Sequence, residues 1–291
     1  MTKVVITGYA SLDHVAMLDG VPQPGQTTTI LQRPVDAWPR LGGSPAYVAA
    51  ALVDNGVVSA FPVSWVGNDE DGTAYREQLS KRRIAHLGVE AVAGALTPIA
   101  ILAYEPTGGC ICLYHPGMPK DLTLSVSQRK LVAEADWLCV TIGPPKATEA
   151  ALDALAPTAG LAWVVKHDPR SQPPQLAARL AANANLICFS QAERGFVDEA
   201  LAASGGPAEN QLLIETRGRS GALIKGGGSE HFVAAAPVAT DDPTGAGDSF
   251  AGGVLAALVN DEANLIAIVE AGHRAARRLL EARGSNRPES A

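Results

Sequence analysis

Short apolar runs of strand length alternate with helix-length segments along most of the chain. The strand candidates are Val4–Gly8, Ala60–Val66, Trp137–Ile142, Ala162–Lys166, Leu186–Phe189 and Leu212–Glu215. The helix candidates are Ser44–Val53, Gly72–Arg82, Gln128–Ala135, Ala147–Leu155, Pro174–Ala182, Gln191–Ala203, Gly247–Leu258 and Ala263–Glu281. Buried strands joined by helices are typical of βαβ units. The pattern therefore predicts an α/β fold with a mainly parallel sheet and helices on both of its faces.

Two segments interrupt this alternation. Residues 10–40 are rich in Pro, Gly and Thr, and within residues 97–117 two apolar runs flank a Gly-Gly turn, which predicts a hairpin. A hairpin inside an α/β chain predicts a small sheet, built from about residues 11–40 and 97–117, that stands off the main body. It could cover a site at the strand ends, or it could be an edge hairpin with no such role. No linker divides the chain, so we expect one domain over residues 1–291, with a frayed polar tail from Gly284.

Composition and charge restrict the possible partners. The chain has 291 residues, of which 47% are hydrophobic and 18% charged, enough for a large core. Its 23 basic and 30 acidic side chains give a formal charge of −7 without a basic run, which argues against nucleic acid as a main partner. No apolar run approaches the roughly 20 residues of a membrane span. Four cysteines in a long chain, and a start that reads as a strand, predict a cytoplasmic protein.

The strongest chemical signal is a glycine-rich run at residues 241–250. We expect a strand at Phe232–Val238 to lead into it and a helix to follow it. Glycines at such a junction, together with the unpaired N–H groups of a helix start, form an anion site suited to phosphate. Asp248 would face this site, either as a proton acceptor or as a cap of the helix. No Walker A lysine follows, and the position in the chain does not fit a Rossmann fingerprint.

Residues 242–250 resemble the C-terminal signature of the PfkB, or ribokinase-like, family of sugar and nucleoside kinases. Residues 42–49 resemble its N-terminal Gly-Gly signature, and residues 65–72 and 216–222 resemble two further family blocks. The four blocks occur in family order and cover nearly the whole chain. The resemblance implies a three-layer α/β/α sandwich with a small β lid, and transfer of the γ-phosphoryl group of ATP, with Mg²⁺, to a hydroxyl group of a sugar or sugar-like acceptor.

The resemblance also implies a role for individual residues. Asp248 would be the catalytic base, and Gly245, Ala246 and Gly247 would form the anion hole. The implied acceptor-binding residues are Asp13, Gly42, Gly43 and Tyr47; the implied nucleotide-binding residues are Thr216, Gly218, Gly221 and Ser190; and Glu193 is implied for Mg²⁺ and phosphate. Two of these positions depart from the family pattern, because Tyr47 and Ser190 each stand where the family has Asn.

Three functions stay open at this point. The first is a kinase for a sugar-like alcohol, and the second is a nucleoside kinase whose base pocket would use Trp38, Tyr47, Tyr104 and Tyr114. The third is a non-catalytic metabolite-binding protein that keeps the kinase fold. A homodimer through the lid is also possible, because a small sheet can expose apolar surface.

Overall fold

A computed structural model describes residues 2–57, 59–240 and 242–284 of the chain. Asp241 of the glycine-rich run lies outside the described residues, as does the predicted frayed tail beyond Gly284. The strands are β1 (Val4–Thr7), β2 (Ser11–Leu18), β3 (Ile30–Gln32), β4 (Arg40–Gly42), β5 (Ala60–Gly67), β6 (Val89–Val92), β7 (Ile99–Tyr104), β8 (Cys110–His115), β9 (Trp137–Val140), β10 (Gly160–Val164), β11 (Leu186–Ser190), β12 (Leu212–Thr216), β13 (Gly221–Gly226) and β14 (Ser229–Ala234).

The helices are α1 (Ser44–Asp54), α2 (Glu70–Lys81), α3 (Val126–Ala133), α4 (Pro145–Ala154), α5 (Pro174–Asn183), α6 (Arg194–Ala203), α7 (Ala246–Val259) and α8 (Leu265–Gly284). Short 3-10 turns occur at Val35–Ala37, Gln191–Glu193 and Gly218–Ser220. Each predicted helix is present, with ends that differ by a few residues. The first turn of α2 is fixed by Asp69, whose carboxylate accepts a hydrogen bond from Gly72 N at 2.8 Å.

The main sheet has nine strands in the order β14-β13-β12-β11-β10-β9-β1-β5-β6. Every neighbouring pair from β12 to β6 in this order is parallel. At the other edge, β13 pairs antiparallel with both β12 and β14. Alternate side chains of β1 face opposite layers. Val4 and Ile6 pack in the core beneath α1, α2, α7 and α8, and Val5 packs in the core beneath α3 to α6. The predicted three-layer α/β/α sandwich is confirmed.

A second sheet contains the two segments that interrupt the alternation. Its order is β3-β2-β7-β8, and β4 pairs with β2. Val15, Ala100, Leu102 and Tyr104 form its own small core, to which Trp38 adds its ring. Leu31 and Leu113 are exposed on this sheet, and the homodimer through it stays a prediction.

The strand expected at Phe232–Val238 is wrong in position. The observed strand β14 ends at Ala234, because its partner β13 begins at Gly221, directly opposite Ala234. Beyond that point no neighbouring strand pairs with the backbone in the part of the chain that the structure describes. Residues 235–238 instead border a large cavity in front of the glycine-rich run.

Candidate active site

The glycine-rich run ends at the start of α7 and leaves backbone donors unused. Gly245 adopts a left-handed φ of 74°, and the first intrahelical hydrogen bond joins Ser249 N to Gly245 O at 2.8 Å. Within the described residues, the N–H groups of Gly247 and Asp248 have no protein partner. They lie at the positive end of the α7 dipole, so this turn can bind an anion.

Asp248 lies in the first turn of α7 with its side chain almost buried. It lines a cavity of about 550 Å³ between the main sheet and the second sheet. The helix cap that the sequence left open as an alternative is not its role, since the N-cap residue is Gly245 and no side chain caps the helix. A buried carboxylate that faces a cavity beside unpaired amides is placed for proton transfer.

The cavity that contains Asp248 meets a second cavity of about 1090 Å³. Gly247 and Thr216 line both spaces, so the two cavities join at the anion-binding turn. The larger cavity also contacts Gly218, Gly221 and Ala246. A phosphate at the junction would therefore be accessible from both sides.

Asp13 is buried at 3% exposure on β2 and lines the smaller cavity. Ser11 Oγ donates to its Oδ1 at 2.6 Å, and Tyr47 OH donates to its Oδ2 at 3.3 Å. Burial raises the pKa of Asp13 above its usual range, although these two hydrogen bonds lower it in part. Asp13 therefore offers a poorly solvated acceptor that a ligand hydroxyl group could satisfy.

The Gly-Gly pair acts through close backbone packing. A Cβ on Gly42 would lie 2.1 Å from Asp13 Oδ1, and one on Gly43, which has φ 83°, would lie 2.4 Å from Tyr9 O. Only Gly43 of the two lines the smaller cavity. Gly42 therefore shapes the site by leaving room for the Asp13 carboxylate, whereas Gly43 can contact a ligand directly.

Tyr47 connects Asp13 to the anion-binding turn. A Cβ on Gly245 would lie 2.6 Å from Tyr47 ring carbons, so the glycine is packed against the face of the ring. The Tyr47 hydroxyl group lies between Asp13 Oδ2 and Arg283 Nη2, each at 3.3 Å. This residue, which departs from the family pattern, thus contacts both halves of the site.

The larger cavity combines glycines of positive φ with aromatic side chains. Gly218 and Gly221 both have positive φ values at its edge, 56° and 134°. Phe250 and His273 line it, with ring centroids 5.3 Å apart. Burial lowers the pKa of His273, which favours the neutral imidazole. Neutral aromatic rings of this kind can stack on a purine.

Ser190 and Glu193 lie at the end of β11 and line the smaller cavity rather than the larger one. Glu193 Oε2 accepts a hydrogen bond from Ser190 N at 2.7 Å, which makes Glu193 part of a capping box. Across residues 2–57, 59–240 and 242–284, no group of three or more His, Cys, Asp or Glu side chains is arranged to hold a metal. Mg²⁺ commonly binds through one or two carboxylates together with substrate phosphates, and Glu193 and Asp248 line the same cavity as the anion-binding turn, which is the donor chemistry such an ion needs.

Sequence reasoning missed Lys166, which follows β10 and lines the smaller cavity together with Asp248 and Glu193. The carboxylate of Asp248 raises the pKa of Lys166, and this effect outweighs the opposite effect of burial. Lys166 thus places a stable positive charge next to the candidate base. Lys166 as a whole residue is solvent-exposed although it lines this cavity, so its sequence pattern could not distinguish it from an ordinary surface lysine.

A buried ionic cluster beneath the anion-binding turn was also missed. Arg40 Nη1 donates to Asp242 Oδ2 at 2.5 Å, and Arg283 Nη1 donates to Asp242 Oδ1 at 3.4 Å. Burial acts to raise the pKa of Asp242, but the charges of Arg283 and Arg40 bring it below its usual value. On the other side of the turn, the Tyr104 and Thr244 hydroxyl groups lie 2.7 Å apart and join the second sheet to it.

Two general features accompany the site. In the part of the chain that the structure describes, no helix has the length and apolar character needed to span a membrane. All four cysteines are free thiols.

Comparison with known proteins agrees with this geometry. Residues 1–291 match the pfkB family of carbohydrate kinases. The chain is 25% identical to an ATP-dependent ribose-1-phosphate kinase of Halopiger xanaduensis over 90% of this chain and 86% of that protein. It is 26% identical to a fructokinase of Solanum tuberosum over 90% and 82%.

Solved structures share the fold at lower identity. A ribokinase from Cryptococcus neoformans var. grubii in complex with ADP superposes with a TM-score of 0.78 at 21% identity, covering 97% of this chain and 94% of that one. A nucleoside kinase from Methanocaldococcus jannaschii gives 0.75 at 20%, covering 97% and 92%. The chain therefore belongs to the pfkB family of carbohydrate kinases, and it is a phosphotransferase with an alcohol group as acceptor and a ribokinase-like fold.

Proposed function

We propose that the protein transfers the γ-phosphoryl group of ATP to a hydroxyl group of a sugar or sugar-like acceptor, with Asp248 as the base. The observation that carries the proposal is the position of Asp248, in one cavity with Asp13 and next to the unpaired amides of Gly247 and Asp248. The nucleotide occupies the larger cavity and the acceptor the smaller one. The γ-phosphate then lies at their junction, against Gly247.

In the transfer step, the acceptor hydroxyl group gives its proton to the Asp248 carboxylate while its oxygen attacks the γ-phosphorus. The bond from that phosphorus to the β,γ-bridging oxygen breaks, and ADP leaves with the bonding electron pair. The amides at the start of α7 donate to the phosphoryl oxygens as charge develops on them. Lys166 adds a positive charge beside the same group.

Asp13 orients the acceptor by accepting a hydrogen bond from a second hydroxyl group. A bound Mg²⁺ would supply charge neutralisation on the phosphates, and Glu193 and Asp248, which line this cavity, would be the residues that hold it. The second sheet acts as a lid that excludes water, since Tyr104 on β7 contacts Thr244 at 2.7 Å across the site.

A nucleoside acceptor is the second candidate, and aromatic side chains at the acceptor cavity favour it. Tyr9 and Tyr114 both line that cavity, with ring centroids 6.3 Å apart, and Tyr104 lies on the same side. A base could pack against these rings while Asp13 holds a ribose hydroxyl group. A non-catalytic binding protein accounts less well for the site, because a carboxylate next to a phosphate is unfavourable unless it accepts a proton.

The test is an acceptor panel with ATP and Mg²⁺, read by ADP release above the rate without acceptor. Sugars, sugar phosphates and nucleosides form separate arms of the panel. For the acceptor that gives turnover, Asp248→Asn is expected to lower kcat by about 10²–10⁴-fold, the usual contribution of a general base, while calorimetry finds ATP binding largely unchanged.

A matched control is Asp261→Asn. Asp261 is an exposed aspartate just past α7 with φ 61°, a conformation that Asn tolerates. Turnover of Asp248→Asn at the rate of this control would overturn the assignment of the base. ATP hydrolysis that no acceptor in the panel increases would favour the binding protein.

A further inference from the structure

Near the C-terminal end of α8, the side chain of Arg283 contacts the anion-binding turn. Arg283 is the penultimate residue of α8, and its side chain is 8% exposed. In the sequence it appears only as a positive charge near a helix C-terminus, where such charges are common. Its contacts in the folded chain are with the anion-binding turn instead.

Within the described residues, the hydrogen bonds that Arg283 donates all go to groups of the site. Nη1 donates to the backbone oxygen of Asp242 at 3.1 Å, to Asp242 Oδ1 at 3.4 Å and to the backbone oxygen of Thr244. Nη2 donates to the Tyr47 hydroxyl group at 3.3 Å, and the guanidinium carbon lies 5.8 Å from the centre of that ring. The Arg283 guanidinium group therefore contacts Asp242 and Thr244, which lead into Gly245. It also contacts Tyr47, which donates a hydrogen bond to Asp13.

We infer that Arg283 is a positioning residue that holds the anion-binding turn and the acceptor-binding Tyr47 in register with each other. The inference rests on the proposed function for its kinetic part only. Asp242 and Thr244 lie within the three residues before Gly245, so fixing their carbonyl groups fixes the direction of the free amides of Gly247 and Asp248. Tyr47 donates a hydrogen bond to Asp13, so the Tyr47 hydroxyl group determines where the Asp13 carboxylate lies.

The fork geometry of the guanidinium group is essential to this role. Nη1 shares its two N–H groups among two carbonyl oxygens and a carboxylate oxygen, while Nη2 donates to a phenol oxygen. A lysine ammonium group is a point charge with a different reach and cannot reproduce the fork. Arg40 contacts the other Asp242 oxygen but no carbonyl group of the turn, so it cannot replace Arg283.

The kinetic test compares Arg283→Ala with Arg278→Ala. Arg278 lies on the same helix and also bonds to a backbone carbonyl group, that of Asp54, at 3.0 Å, but it does not touch the turn. We expect Arg283→Ala to lower kcat and to raise KM for the acceptor, with kcat/KM reduced about 100-fold, the typical cost of a displacement near 1 Å. The control should stay within about twofold of the wild type. Arg283→Lys, which keeps the charge, is expected to recover stability without recovering kcat.

Chemical rescue separates positioning from a general loss of structure. Arg283 lines a cavity of about 240 Å³ that also contains Arg40 and Arg278, so a small cation can reach the vacated place. Free guanidinium, well below denaturing concentrations, is expected to restore much of the kcat of Arg283→Ala and none of any activity lost in Arg278→Ala. Rescue equal in both variants, or kcat/KM equal in both, would overturn the inference.

Amide hydrogen exchange tests the same inference without relying on turnover. In Arg283→Ala the amides of Thr244, Ala246 and Ser249, which are hydrogen-bonded within the turn, should exchange faster than in Arg278→Ala, whereas those of β9 and β10 should not change. If the wild type phosphorylates no acceptor, the proposed function fails and the exchange result alone decides the role of Arg283. If the wild type is active and exchange of the turn is the same in the two variants, the proposed function stands and the role of Arg283 is refuted.

Discussion

Two glycines of the anion-binding turn allow catalysis to be separated from folding. Gly245 has φ 74°, and a Cβ there would lie 2.6 Å from Tyr47 ring carbons. A Cβ on Gly247 would meet no heavy atom within 4 Å, and this glycine lines both cavities. Alanine at the first position therefore acts on the fold, whereas alanine at the second acts on the space that a phosphate would occupy.

The expected magnitudes follow from these contacts. For Gly245→Ala, a left-handed L-residue costs about 1–2 kcal/mol, and overpacking against the ring costs about 1–3 kcal/mol. The free energy of unfolding should thus fall by about 2–5 kcal/mol, which lowers Tm by roughly 3–8 °C in a chain of this size. Gly247→Ala adds a methyl group in a helical turn, which is neutral or stabilises by up to about 1 kcal/mol.

In kcat/KM, unlike in stability, we expect a large loss for Gly247→Ala. The methyl group of Gly247→Ala stands between the turn and a phosphate whose oxygens must come within about 3 Å of the amides. A displacement near 1 Å reduces kcat/KM by about 100-fold. Gly195→Ala is the control, because Gly195 lies in α6, has open space around it and borders neither cavity.

The assays are a thermal melt and initial rates of ADP formation on the same preparations. Wild-type kcat/KM in Gly247→Ala would refute the placement of a phosphate on this turn. An unchanged Tm in Gly245→Ala would refute the packing of the turn against Tyr47. A lower Tm in Gly195→Ala would show that alanine at an open helical glycine is not neutral, so the stability expected for Gly247→Ala would be wrong.

The remaining predictions concern charge. Lys166→Met should lower kcat by about 10–100-fold without lowering Tm, because the positive charge beside Asp248 is lost; Lys225→Met, which removes an exposed ion pair, is the control. In the proposed function the acceptor hydroxyl group donates to the ionised Asp13 carboxylate, so kcat/KM should fall as the pH drops through its raised pKa. Tyr47→Phe removes a hydrogen bond that lowers this pKa, so the acid limb of the kcat/KM profile should move to higher pH; a shift to lower pH, or none, would contradict this.

The layers of the fold could be predicted from local pattern because each central strand is an uninterrupted apolar run. Trp137–Val140 and Leu186–Ser190 are buried on both faces, and such runs need helices on both sides. The second sheet gave a weaker signal. Strand β2 is buried along nearly all of its length, so it lacks the alternation of a half-exposed strand, and the Pro- and Gly-rich residues after it obscured its end.

The site was predictable where one short segment carries the chemistry. Gly245, Gly247 and Asp248 lie within four residues of one another, and the start of α7 alone brings the amides and the carboxylate together. Lys166 and Arg283 carry no such local signal, because only the order of the strands and the end of α8 bring them to Asp248 and to the turn. The favourable interaction of a positive charge with the helix dipole is enough to explain an arginine near a helix C-terminus. Only the tertiary structure shows that Arg283 contacts the anion-binding turn.

The departure at Tyr47 is explained by the same tertiary contacts. A phenol at this position needs a glycine at 245, since the ring occupies the space of a Cβ. Its hydroxyl group, buried beside the Asp13 carboxylate, needs a donor on its other side, and Arg283 supplies one at 3.3 Å. Tyr47, Gly245 and Arg283 therefore form a single packing unit, in which a change at any one member should alter both the anion-binding turn and the acceptor pocket. Double-mutant cycles between Tyr47→Phe and Arg283→Ala should accordingly give non-additive losses in kcat/KM.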